Sequence, residues 1–194
     1  RALEAKGTWL DVVYPWDILQ LNDLALHQIP AQIGGTIEQG VIISGAVSIG
    51  KDTVIRSNSY IMGPALIGEG CQIGPGAYIL PATSIGDNVY ISPFTQIKNS
   101  VIGNNSHIGP NCTIQDSIID RGCQLKGHIV ARSDETEVKV DGEHHWVQIG
   151  AMLGEYCTLE DNVIIQPGVK IGNHARIKAL KLIGENVPDE GLVV

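Results

Sequence analysis

The sequence predicts an all-β protein: a left-handed parallel β-helix of hexapeptide repeats, with a short N-terminal helix and one external loop insertion. Three observations carry this. Isoleucines recur every six residues from Ile37 through Ile97 without a break. A small or β-branched residue stands two positions before each, as at Val47, Thr53, Ser59, Ala65, Cys71 and Ala77. The chain has 23 Gly and one Phe, a ratio that suits many tight turns around a narrow aliphatic interior. A helix would show a period near 3.6 and a plain strand a period of 2, whereas six fits a short strand plus a turn.

The N-terminal segment, residues 1–32, lacks the hexapeptide. Pro15 stands at a good first helical position, and Trp16, Leu19 and Leu24 recur at helical spacing, so a helix is expected over Pro15–His27. Pro30 ends it. Lying against the first coil, it would cover the open end of the solenoid, which otherwise presents unpaired backbone.

The β-helix is expected over residues 33–194. The phase slips by one at Ile102 and again at Ile119, then reaches Leu125. With three hexapeptides per coil, residues 37, 55, 73 and 91 should stack, as should 43, 61, 79 and 97, and 49, 67, 85, 102 and 119. Gly follows the core isoleucine at Gly50, Gly68, Gly74 and Gly86, which suggests turns needing φ > 0. Cys71, Cys112, Cys123 and Cys157 all occupy the small-residue slot and read as buried hydrophobes.

Residues 126–146 break the register and are polar, which marks an external loop or hairpin. This insertion holds His128, His144 and His145, candidate general bases because imidazole titrates near working pH. Solvated loop histidines are the plainer reading of the same residues. Only His144 and His145 are close in sequence, and neighbours on a strand point to opposite sides, so a zinc site is not expected.

The formal net charge is −8, with no basic run, which argues against nucleic acid and anionic membranes as partners. No apolar stretch approaches the ~18 residues of a membrane helix. Four Cys without CxxC spacing suggest a reducing, cytoplasmic setting. The chain starts at Arg1 without Met, so a segment of a longer protein is expected.

The stretch Gly7-Thr8-Trp9-Leu10-Asp11-Val12-Val13-Tyr14-Pro15-Trp16-Asp17-Ile18-Leu19 resembles the end of a sugar-1-phosphate nucleotidylyltransferase domain. Residues 7–194 together resemble the C-terminal part of archaeal-type bifunctional enzymes that join such a domain to a left-handed β-helix. Ile97-Lys98-Asn99-Ser100-Val101-Ile102 matches a stretch of the same family. The resemblance implies nucleotide-sugar biosynthesis and a homotrimer. It also implies an acetyltransferase that uses acetyl-CoA on an amino-sugar 1-phosphate at a cleft between subunits. Asp11 falls where the family's nucleotidylyltransferase holds Mg²⁺; without the rest of that domain it is a remnant. Lys98 falls where a lysine binds the sugar phosphate, and Asp116 is retained as well.

Several positions depart from the family. Pro110 replaces the general-base histidine and Thr113 the tyrosine that follows it. Gln124 stands for an asparagine, Leu80 for an arginine and Gln148 for a lysine. Amine attack on a thioester needs a base, worth about 10²–10⁴-fold, and proline cannot supply one. Three readings follow. The β-helix trimerises a nucleotidylyltransferase and no longer acetylates; or it acetylates with a base relocated to His128, His144 or His145; or its degenerate cleft binds a nucleotide sugar or CoA compound and regulates the neighbouring domain. Lys98, Asp116 and Gln124 are the candidate substrate-binding residues.

Overall fold

The computed structural model describes residues 11–140 and 142–194. It is a left-handed β-solenoid of three parallel sheets around one aliphatic core. The first sheet runs from Gln32–Ile33 to Lys170–Ile171 in eight strands. The second runs from Thr36–Ile37 to Leu192–Val193 in nine, and the third from Ile42–Ser44 to Leu182–Ile183 in eight. Strands are two or three residues long, and each pairs with its equivalent one coil on, as Ile55 with Ile73 and Ile61 with Ile79. The hexapeptide dictates this: the isoleucine fills the prism interior, and the small residue before it sits where the backbone bends. Ile49, Ile55, Ile61, Ile67, Ile73 and Ile79 are each fully buried. Hydroxyls in the small slot donate to carbonyls of the following coil, as Thr53 Oγ1 does to the Gly68 carbonyl (2.6 Å) and Thr95 Oγ1 to the Gly109 carbonyl (2.7 Å). The polar slot is thereby satisfied at little cost.

The glycines after the core isoleucines serve a different purpose from the expected one. Gly50, Gly68, Gly74 and Gly86 do not have positive φ. They lie where successive coils nearly touch: a Cβ on Gly50 would stand 2.6 Å from the Gly68 carbonyl carbon and oxygen. Left-handed backbone occurs instead three residues past the isoleucine, at Asp52, Asn58, Gly70, Gly76, Asn88 and Asn105. Asn and Asp tolerate that conformation better than other L-residues.

The phase slips have one location. Pairing stays in register because the coils ending at Ile102 and Ile119 lose one residue at the corner leading from the third sheet to the first. The turns there are carried by Asn99 (φ 44°) and Asp116 (φ 45°). The insertion leaves at this same corner. Residues 126–131 remain in the solenoid, with Ile129 and Ala131 buried and Val130–Ala131 paired in the third sheet. Ala131 takes a core seat otherwise held by Ile or Leu, which hides the continuation from a pattern of large aliphatics. The excursion itself is an antiparallel hairpin of Asp134–Val140 and Glu143–Ile149.

The helix, α1 (Asp17–Leu26), forms within the expected span. The Asp17 carboxylate accepts from the backbone N–H groups of Val13 (2.9 Å) and Tyr14 (2.8 Å) and so folds back the chain entering the helix. Contrary to expectation, α1 does not cover the open end. It lies along the flank of the first sheet, against Thr83–Ile85, where Asn22 Nδ2 donates to the Ala82 carbonyl (2.8 Å) and the Ser84 hydroxyl donates to Asn22 Oδ1. The physical reason is the outer surface of that sheet. Small Ser48 and Ser84 leave a seat for a helix, and Ile118 and Met152 give apolar contact to Trp16 at its entry. Ile33 and Ile42 at the first coil stay exposed.

All four cysteines are buried. Burial pushes the Cys71 thiol up and the Cys112 thiol up to about 11. A native sample at pH 8 is therefore expected to show no thiol reactive toward Ellman's reagent, and four after unfolding in guanidinium. A thiol titrating at once in the native protein would contradict this packing.

Candidate functional site

One cleft, of about 660 Å³, opens at the corner where the slips and the insertion coincide. Its floor is the stacked turns: Pro81 and Ala82, then Lys98 and Asn99, then Asp116. These turns are laddered by Asn99 N–H to the Pro81 carbonyl (3.0 Å) and Asp116 N–H to the Lys98 carbonyl (3.0 Å). Asn99 Nδ2 donates to Asp116 Oδ1 (2.6 Å). One wall is Trp16 and α1, with Leu19, Gln20 and Asp23, and the other is the second hairpin strand, with Trp146, Val147 and Gln148.

A small apolar cluster holds the walls in place. Trp16, Val138, Ile149 and Met152 are buried together, with Tyr14, Ile118, Val140 and Val147 packed on them. Tyr14 stacks on Trp16 (centroids 4.8 Å, 13° between planes) and lies 4.4 Å from the His145 ring. The cluster ties the chain entering α1 to both strands of the hairpin.

The candidate residues separate. Lys98 and Asp116 meet in the cleft floor. Gln124 lies on the outer surface of the second sheet, in register with His107 and Thr158. His128 occupies a left-handed turn (φ 59°) at the corner between the second and third sheets. His144 pairs with Glu137 across the hairpin at 2.9 Å, with both side chains exposed. His145 packs against Tyr14 and Trp16, with Nε2 3.7 Å from a Glu143 carboxylate oxygen and no hydrogen-bond partner. No histidine lines the cleft. Asp11 is exposed, and no group of three His, Cys, Asp or Glu able to hold a cation occurs among the described residues. The described residues therefore do not fit a magnesium site by themselves. The rest of the nucleotidylyltransferase-like stretch, residues 7–10, lies outside the described residues.

Sequence reasoning passed over Trp16, Gln20, Asp23, Asn99 and Trp146 as site residues. The signal that marks their meeting place is the pair of phase slips and the insertion, all at one corner. It also passed over His107, which lies 4.7 Å from the Tyr90 ring and within 3.5 Å of the Ser92 hydroxyl; desolvation lowers its pKa.

The stacked coils define a hexapeptide-repeat protein of the left-handed β-helix class. The chain is a homologue of the C-terminal β-helix part of archaeal-type bifunctional sugar-1-phosphate nucleotidylyltransferase/acetyltransferases. It is 35% identical over 96% of its length to the bifunctional sugar-1-phosphate nucleotidylyltransferase/acetyltransferase of Sulfurisphaera tokodaii, covering 49% of that protein. It is 35% identical over its whole length to the bifunctional protein GlmU of Methanococcus maripaludis, again covering 49%. The chain thus spans about half the length of the curated relatives it matches. The family described as GMPPB C-terminal domain matches residues 61–143. Among solved structures, LpxA from Acinetobacter baumannii aligns over 86% of this chain and 67% of its own, with 15% identity and a TM-score of 0.47. Among the described residues no helix is long and apolar enough to cross a membrane.

Proposed function

We propose that this chain is the trimerising part of a sugar-1-phosphate nucleotidylyltransferase of nucleotide-sugar biosynthesis, and that its own acetyltransferase site is degenerate. The observation that carries the reading is the cleft itself. It keeps Lys98 and Asp116, yet among the described residues no histidine lines it, and Pro110, in the place of the family's base, stands at a different corner, between the second and third sheets. Proline cannot take a proton, and the cleft offers no imidazole in its stead, only the carboxylates of Asp23 and Asp116.

Self-association is supported by the contrast between the three outer faces. The first sheet is partly covered by α1 and the hairpin. The second presents Thr36, Gln72, His107, Gln124, Thr158 and Arg176 and is apolar at Val54, Tyr90 and Leu192. The third presents Ile42, Tyr60, Tyr78, Gln96, Thr113, Val130, Ile164 and Leu182, of which Leu182 is 64% exposed. At a strand spacing of about 4.8 Å, its apolar side chains form two runs of about 10 Å each, parted by Gln96 and Thr113. Exposed apolar runs of this kind suit an association surface, and cyclic closure satisfies every copy.

Two measurements test the reading. Light scattering should find three chains of 20.8 kDa per particle. Mixed with acetyl-CoA and glucosamine 1-phosphate or galactosamine 1-phosphate, that trimer should release no free CoA above background. A monomer would overturn the scaffold, and steady amine-dependent release would overturn the degenerate site. One observation favours an active transferase with a relocated base. His107 is register-paired with Gln124, bonded to Ser92, and shifted toward the neutral form that a base requires. On that reading acetyl-CoA is the donor, and His107→Ala abolishes the release.

A further inference from the structure

The corner between the second and third sheets is a column of left-handed turns, one per coil. Backbone bonds ladder it, as from Phe94 N–H to the Pro75 carbonyl (3.2 Å) and from Leu180 N–H to the Asp161 carbonyl (3.0 Å). Gly and Asn hold most of these turns, as at Asn58 (φ 60°), Gly76 (φ 65°), Asn111 (φ 56°) and Asn162 (φ 60°). They are the residues that tolerate this backbone. Two coils depart from the pattern. Phe94, the only Phe of the chain, stands at φ 60° and Leu180 at φ 62°. Neither is placed there to fill the core: Phe94 is 66% exposed and Leu180 79%. A strained turn that holds an apolar side chain out into water lowers stability on both counts, and such outliers mark a function.

The two knobs have a counterpart on the neighbouring face. A Cβ on Gly76 would stand 2.8 Å from Phe94 ring carbons, so the ring leans along the corner onto the coil that carries Tyr78. Leu180 lies four turns on, past Asn111, His128 and Asn162, about 19 Å at a spacing of about 4.8 Å. It shares its coil with Leu182. The third sheet is apolar at Tyr60 and Tyr78, polar at Gln96 and Thr113, and apolar again at Ile164 and Leu182. Each knob therefore stands at the height of one apolar run, and the polar stretch of the corner lies at the height of the polar stretch of the face.

We infer that Phe94 and Leu180 anchor one copy of this chain on the third-sheet face of a second copy, Phe94 against Tyr60 and Tyr78, and Leu180 against Ile164 and Leu182. Rotation about an axis parallel to the solenoid sets equal heights opposite each other, so a parallel neighbour receives both knobs at once. Corner and face are different surfaces of one chain, which makes the contact head-to-tail and lets it close into a ring. None of the six side chains is charged, so an acidic or basic partner finds no complement here. A second copy finds aromatic and aliphatic groups at matched positions. The face has eight strands and is about 34 Å tall and about 16 Å wide, of the same order as the ~800 Å² per partner that a stable interface buries. The inference rests on the reading of this chain as a trimerising part, and it adds where the copies touch.

The test replaces both knobs by the residue that holds the same turn in other coils. Phe94→Asn with Leu180→Asn keeps the backbone preference of the corner and removes only the apolar groups. By light scattering the double variant should fall from three chains per particle to one, with its far-ultraviolet circular dichroism unchanged. Each single variant should weaken association by about tenfold or more. Leu192→Asn, at an exposed position on the second sheet, should leave the particle at three chains. A second measurement does not depend on the variants folding. Benzoylphenylalanine incorporated in place of Phe94 keeps an aromatic knob and, on illumination, should cross-link to residues 60–78 of another chain. A double variant that stays trimeric, or cross-links confined to the chain's own residues, would overturn the inference and leave the scaffold reading standing. A wild-type chain that is already monomeric would overturn both.

Discussion

Ile91→Ala is expected to lower the free energy of unfolding by about 2–5 kcal/mol, the range for truncating a fully buried aliphatic. Ile91 is wholly buried and sits in the second-sheet column between Ile73 and Ile108. The void cannot close by collapse of the coils. Their spacing is set by backbone bonds above and below, from Gly74 N–H to the Ile91 carbonyl (2.7 Å) and from Ser92 N–H to the Ile108 carbonyl (2.8 Å). Each coil of a solenoid contacts only its neighbours, so the loss falls on the interfaces on both sides. Ile183→Ala, in the last strand of the third sheet, has a neighbouring strand on one side only and a residue already 5% exposed. It should cost clearly less. Urea unfolding of the two variants gives the comparison; equal losses would mean that the core does not act as a stack of nearest neighbours.

The stacking behind that expectation was legible in the sequence because one residue type does one job. The interior of the prism accepts a single large aliphatic per strand, so the isoleucines mark every coil, and each column read from the spacing is a column of the structure, as with Ile49, Ile67, Ile85, Ile102 and Ile119. The glycines misled because two demands call for the same residue. Gly50 is required by the approach of Gly68, not by its own φ, and spacing alone cannot separate close contact from left-handed backbone. Ala131 concealed one strand by filling a core seat with a small side chain. The position of α1 depends on a seat that several distant residues build together, from Ser84 to Met152, and no local pattern encodes it.

The cleft was half legible for the same reason. Lys98 and Asp116 lie on consecutive coils at equivalent turns, so their proximity follows from the repeat. Trp16 and Trp146 reach the same place from segments outside the repeat, and only tertiary packing joins them. The histidines of residues 126–146 are candidate bases in the sequence because imidazole titrates near working pH. The structure puts His128 on a solenoid corner, His144 and His145 on a hairpin strand, and all three away from the cleft lining. A hairpin strand sends adjacent side chains to opposite sides. His145 accordingly packs on Tyr14 while Trp146 turns to the cleft.

Trp16→Ala is expected to release both walls of the cleft together. Trp16 is 8% exposed and is the one member of the buried cluster that comes from the segment entering α1; the others are Val138 and Ile149 of the hairpin and Met152 of the first sheet. Removing a buried Trp costs about 3–5 kcal/mol. In this position the cost falls on the docking of α1 and the hairpin, since the β-helix core is a separate cluster that does not include Trp16. What holds α1 without Trp16 is chiefly Leu19, Leu26 and the Asn22 bonds to Ala82 and Ser84. That is too little for a helix of 10 residues, since isolated helices shorter than about 12–15 residues are marginal in water. Hydrogen exchange reads the outcome. Amides of residues 17–26 and 134–149 should exchange at least about tenfold faster in the variant, while those of the coils around Ile61 and Ile79 keep their protection. Uniform acceleration across the coils would show that the cluster and the solenoid unfold as one unit. No acceleration in either wall would show that the indole does not hold them.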